Sequence, residues 1–102
     1  MWEYPSGTQR FISGGELGTS GRAKYVYNVS TASSVSTGGV VILYNGTSAA
    51  STVNVYAKIE CIAGSGNITS LDTMYFPNGC YVHCSSNSGV QFAVIQYQET
   101  NI

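Results

Sequence analysis

Three cysteines and one histidine are the residues of this chain whose types could do chemistry. His83 lies in Cys80-Tyr81-Val82-His83-Cys84, and Cys61 stands apart as a possible fourth ligand. Three thiolates and an imidazole would suit zinc. A thiol beside an imidazole would suit nucleophilic catalysis if a third group oriented the ring. Spacing argues against both. The segment reads as a β-strand, which turns His83 to the face opposite Cys80 and Cys84. Those two are four residues apart, about 13 Å at 3.3 Å per residue. That is too far to share one tetrahedral ion, and beyond the Cα separation of about 7 Å that a disulfide tolerates. The segment therefore predicts buried thiols, which behave as small hydrophobes, beside a surface histidine. A pairing of Cys61 with Cys80 or Cys84 stays open.

The other chemical vocabularies are thin. Glu3, Glu16, Glu60, Asp72 and Glu99 are scattered, and no pair is spaced for acid–base work. Gly14-Gly15 and Gly18 match neither phosphate-loop nor dinucleotide patterns. Arg22 and Lys24 are the nearest approach to a basic patch, and two charges do not bind nucleic acid. Asn28, Asn45 and Asn67 begin Asn-X-Ser/Thr triplets, which a chain this rich in Ser and Thr produces by chance. No catalytic residue, cofactor or metal ligand is expected, and enzyme is the disfavoured class.

The elements that would position these residues are short strands. Gly38-Gly39-Val40-Val41-Ile42-Leu43-Tyr44-Asn45-Gly46 has five consecutive apolar residues between turn signals, which predicts a central strand over 40–44 buried on both faces. Asn45-Gly46 can supply the positive φ of a tight turn. Over 22–30, alternation sets Tyr25, Tyr27 and Val29 on one side and Lys24, Val26 and Asn28 on the other, a half-exposed strand. Over 52–60, Val53, Val55, Ala57 and Ile59 face inward, with Asn54, Tyr56, Lys58 and Glu60 outward. Ile68–Leu71 and Met74–Phe76 read as two short strands. Pro77-Asn78-Gly79 is a turn, Cys80, Val82 and Cys84 face inward, and Val90–Tyr97 is the last strand. Six to eight such strands with no helical period predict one all-β domain of 102 residues, an antiparallel β-sandwich of jelly-roll type.

Residues 1–21 differ, with aromatic residues among glycines, and read as an extended N-terminal arm before a sandwich over 22–102. Trp2, Tyr4 and Phe11 would dock it, onto a neighbouring subunit or back onto its own domain. Deleting 2–12 should then abolish assembly and leave the sandwich folded. Only 9% of residues are charged, against about 25% in typical domains. Such a surface suits packing against copies of itself. Outward Tyr56 and Tyr81, with Tyr25 or Tyr27, could form an aromatic face for protein or sugar. No apolar run reaches the roughly 20 residues that span a bilayer. Met1-Trp2-Glu3-Tyr4-Pro5 lacks a signal-peptide pattern, so the expected site of synthesis and folding is a cytoplasm.

Tyr25-Val26-Tyr27-Asn28-Val29, then Val41-Ile42-Leu43-Tyr44-Asn45-Gly46-Thr47-Ser48, then Phe76-Pro77-Asn78-Gly79-Cys80-Tyr81-Val82 resemble small β-sandwich structural proteins of tailed bacteriophages. In those a strand ending in an aromatic-Asx-Gly-Thr turn is followed by a turn-Asn-Gly-aromatic hairpin. The likeness covers about residues 22–98 and leaves out the arm; core cysteines are not a mark of the group. It implies a multi-copy virion component, a capsid decoration or neck/tail accessory protein, without catalytic residues. Its partners would be the chain itself, as a trimer or larger assembly, and other virion proteins. The competing expectation is a carbohydrate- or receptor-binding module using exposed tyrosines.

Overall fold

A computed structural model describes residues 6–12, 14–33, 38–48, 54–62, 64, 66–84 and 90–99. Eight strands run in the order β1 (Ser6–Phe11), β2 (Gly14–Glu16), β3 (Lys24–Ser33), β4 (Gly39–Asn45), β5 (Val55–Cys61), β6 (Gly66–Phe76), β7 (Cys80–Cys84) and β8 (Val90–Glu99). They form two four-stranded sheets, β1-β8-β3-β6 and β2-β7-β4-β5, with every pairing antiparallel. The pairing is nested: β1 with β8, β2 with β7, β3 with β6, β4 with β5. The chain is in effect one long hairpin rolled up, and the β3–β8 and β4–β7 ladders close the roll. This is the jelly-roll arrangement.

The core lies between the sheets. Val26, Val29, Phe76, Ala93 and Ile95 of the first sheet meet Val41, Leu43, Ile59 and Val82 of the second. Residues on neighbouring strands of one face pack as cross-strand pairs, so alternation in sequence becomes a continuous apolar layer.

The expected separation of an arm over 1–21 does not hold for residues 6–17. Ser6–Phe11 pairs along its whole length with β8, and Gly14–Glu16 pairs with β7. The Leu17 amide continues that ladder to the Cys80 carbonyl at 2.8 Å, and its side chain is fully buried. Phe11 is buried in the same core. Each such side chain contributes about 2 kcal/mol of burial, which a Gly-rich composition concealed. Gln9 reaches across to the start of the next connection, donating to the Glu16 carbonyl at 3.3 Å and accepting from the Gly18 amide at 2.8 Å. Trp2 and Tyr4 lie outside the described residues.

Three local expectations are also corrected. Asn45 makes no turn: it ends β4 with its side chain buried. Its Oδ1 accepts the Asn78 amide at 3.0 Å, and its Nδ2 donates to the Tyr56 hydroxyl at 3.2 Å. The outer face of β4 is not sealed, since Val40 and Ile42 are only half-buried. Residues 66–76 are one strand, not two, interrupted by Asp72 and Thr73 at φ of 53° and 60°. The turn at Pro77-Asn78 does form, with the Gly79 amide donating to the Phe76 carbonyl at 3.4 Å. Gly79 has φ of 98°, and a Cβ there would lie 3.3 Å from backbone atoms of Gly21 and Gly46. Only glycine fits where three chain segments meet.

Candidate functional site

The expected pattern in β7 is present: Cys80, Val82 and Cys84 are buried, and Tyr81 and His83 are half-buried on the other face. Cys61, Cys80 and Cys84 are all free and buried. Cys61 and Cys84 lie on strands flanking β4, opposite Gly39 and Val41 respectively; two inter-strand spacings and an offset of two residues put them about 12 Å apart, beyond disulfide reach. Burial pushes the Cys80 thiol up to about 12, partly offset by the Lys24 ammonium. Burial, with the neighbouring Cys61, also raises Cys84. A thiol so raised supplies little thiolate at neutral pH. Among the described residues no group of three His, Cys, Asp or Glu side chains could hold a metal ion.

Two charged residues are not where the sequence placed them. Lys24 is not half of a basic surface pair, and Glu99 is not isolated. They face each other across the β3–β8 ladder, 3.5 Å apart, at 0% and 2% exposure. The Lys24 ammonium donates to the carbonyls of Thr19 and Arg22, each at 2.6 Å. Glu99 accepts the amide of Thr19, and the Thr19 hydroxyl at 3.0 Å. Burial pushes Glu99 up, and the Thr19 donors and Lys24 outweigh it, leaving its carboxyl below the usual value. Burial holds Lys24 below the usual lysine value despite Glu99. The pair fastens the connection between β2 and β3 to the end of β8. It is almost fully withdrawn from solvent.

The accessible surface divides into two faces and two sides. On the outer face of the first sheet, alternation fails over 24–29 because Tyr27 is an extra residue opposite β8: Val26 pairs with Tyr97 and Asn28 with Gln96. Such a bulge re-aims side chains. Tyr27 and Asn28 both turn outward, while Val29 is buried. The Tyr27 hydroxyl donates to Gln98 Oε1 at 2.6 Å, and Asn28 Nδ2 donates to Gln96 Oε1 at 3.0 Å. Beside them Tyr25 and Tyr75 stack with centroids 4.9 Å apart. A depression of about 290 Å³ lies between Gly7, Thr8, Tyr27, Gln96, Tyr97 and Gln98. It offers amide donors and a phenol without a charge, a set suited to a neutral polar group. Arg10 lies 5.1 Å above the Phe92 ring, and Asp72 of β6 is exposed at the edge of the same sheet.

The expected aromatic face of Tyr56 and Tyr81 with Tyr25 or Tyr27 is not assembled, because β3 belongs to the first sheet and β5 and β7 to the second. Tyr81 packs edge-on against Tyr44 at 6.4 Å on the outer face of the second sheet. Tyr56 sits at the edge of that sheet, its ring 5.3 Å from Phe76. Of the expected interface residues, Phe11 is withdrawn into the core, Tyr81 is half-buried, and Tyr56 is exposed.

The remaining accessible chemistry is backbone. β5 and β6 are the edge strands on one side of the roll, and that side also carries Ile62 at 76% exposure, Ile68 at 71%, Tyr56 and Tyr75. Unpaired strand edges are templates for another chain, and the exposed isoleucines add apolar area beside them. The chain matches no protein-family model, no curated protein and no solved structure.

Proposed function

We propose that this chain is a non-enzymatic structural protein, a multi-copy virion component of a tailed phage used as capsid decoration or neck/tail accessory. It assembles with copies of itself and with other virion proteins. The observation that carries the self-association is the β5–β6 side, where both sheets end in unpaired strands beside Ile62, Ile68 and Tyr56. Covering it would remove an aggregation hazard. A jelly roll is common to capsid and lectin domains, and a fold by itself assigns no function. The virion role rests on the sequence resemblance over residues 22–98, of which the turn at Pro77-Asn78 forms and the one at Asn45 does not, together with the low proportion of charged residues. Docking through residues 6–17 is not part of the proposal, because those residues build the sandwich.

Light scattering on the purified chain across a range of concentrations tests the reading. A defined oligomer is the expected result; a monomer at every concentration would sink self-association. The carbohydrate reading keeps one specific support, the uncharged depression at Tyr27, Gln96 and Gln98. Binding to neutral oligosaccharides that Tyr27→Ala abolishes, on a glycan array, would favour it over assembly.

A further inference from the structure

Four strands end the two sheets, and they differ as templates. β2 has three residues. β6 is broken by positive φ at Asp72 and Thr73. β1 carries Gly7 and the Arg10 side chain that lies over Phe92. β5 is regular from Ala57 to Cys61, pairing residue for residue with β4, and its outer side is free among the described residues. Lys58 and Glu60 stand next to each other on its solvent face, both exposed, and neither has an ion-pair partner among the described residues.

We infer that β5 pairs antiparallel with β5 of a second copy, in the register that sets Ile59 opposite Ile59 and Lys58 opposite Glu60 of that copy. The register follows from symmetry and charge. An antiparallel pair of identical strands is related by a two-fold axis normal to the sheet, so a residue can face only partners of its own side of the pleat. The opposed residue numbers therefore sum to an even value. A sum of 116 sets Lys58 against Lys58, and 120 sets Glu60 against Glu60; like charges directly opposite are destabilising. A sum of 118 makes two Lys–Glu pairs and puts Ala57 opposite Cys61 on the inner side. The two second sheets then form one eight-stranded sheet, β2-β7-β4-β5-β5-β4-β7-β2, with both sandwiches on the same side of it. The charges that guard the edge against other strands select this one. The contact stands alone as a dimer or serves as the two-fold contact of a larger assembly.

This inference rests on the self-association proposed above and adds its partner strand and register. Sedimentation equilibrium on the full chain, with Lys58→Glu, Glu60→Lys and the double exchange, tests it; circular dichroism checks the fold of each. The wild-type chain is expected to self-associate, each single exchange to weaken association about tenfold or more, and the double exchange to restore it. That factor corresponds to converting two opposed pairs from attraction to repulsion. Association indifferent to both single exchanges, or not restored by the double, overturns the register and leaves self-association standing. A wild-type chain monomeric at every concentration overturns both.

Discussion

Lys24 and Glu99 form the single ion pair among the described residues, and it is buried. Taking two charges out of water is costly, and the pair holds because every side of it is answered: two carbonyls for the ammonium, an amide and a hydroxyl for the carboxylate. Replacing such a pair with apolar residues can be neutral, whereas removing one partner strands a buried charge at a cost of about 3–5 kcal/mol. Glu99→Gln should therefore lower the unfolding free energy in urea at pH 7 by roughly 3 kcal/mol. The sign with pH follows from the lowered carboxyl. Below the ordinary value of 4.5 the unfolded chain takes up the proton first, so the contribution is intact above about that pH and is lost as pH falls through the folded value. Urea midpoints measured from pH 6 down to pH 3 should fall steeply for wild type and more gently for Glu99→Gln. Equal slopes would assign acid sensitivity to other carboxylates. Cys80 is buried at this same end of the core, where burial raises its thiol and the Lys24 ammonium partly offsets the rise.

The elements show where periodic reading works and where it fails. β7 is regular, as is β5 from Ala57 to Cys61 beyond an extra residue at Tyr56, and in those stretches the alternation of more and less buried residues is as the sequence indicates. β3 and β6 are bulged, and one extra residue at Tyr27 reverses the faces beyond it. The signal for such a bulge was present only as a conflict: strict alternation puts Val29 with Tyr25 and Tyr27, and Asn28 with Val26. β1 and β2 were concealed for a different reason. Serine, glycine and threonine form strands when a partner ladder is waiting, and their composition says nothing of β8 or β7. The consequence is measurable. Deleting residues 6–11 should remove the β1–β8 ladder and Phe11 together, and give a chain that is unfolded or strongly destabilised by circular dichroism and thermal melting. A deletion mutant that keeps the full cooperative transition would restore the view of those residues as an accessory arm.

In the whole molecule, nesting makes the ends of the sequence neighbours: β1 beside β8, and the β2–β3 connection fastened to Glu99. Such pairings close long loops before they return any contact energy, so a chain of this topology folds more slowly than a helical one of equal length. Charge is sorted on the same scale. Arg10 of the first sheet lies over an aromatic ring, Lys58 and Glu60 mark the β5 edge, and Lys24 and Glu99 are withdrawn from the surface. Local spacing was sufficient for the all-β class, the turn at Pro77-Asn78-Gly79 and the inward cysteines, because a period of two is a property of the strand itself. It was also sufficient to set His83 on the face opposite Cys80 and Cys84. What only tertiary structure decided is which strands are edges, which tyrosines share a face, and that Lys24 meets Glu99. Those depend on pairings between residues up to 92 positions apart, Ser6 with Gln98, and no local pattern encodes the partner of a strand.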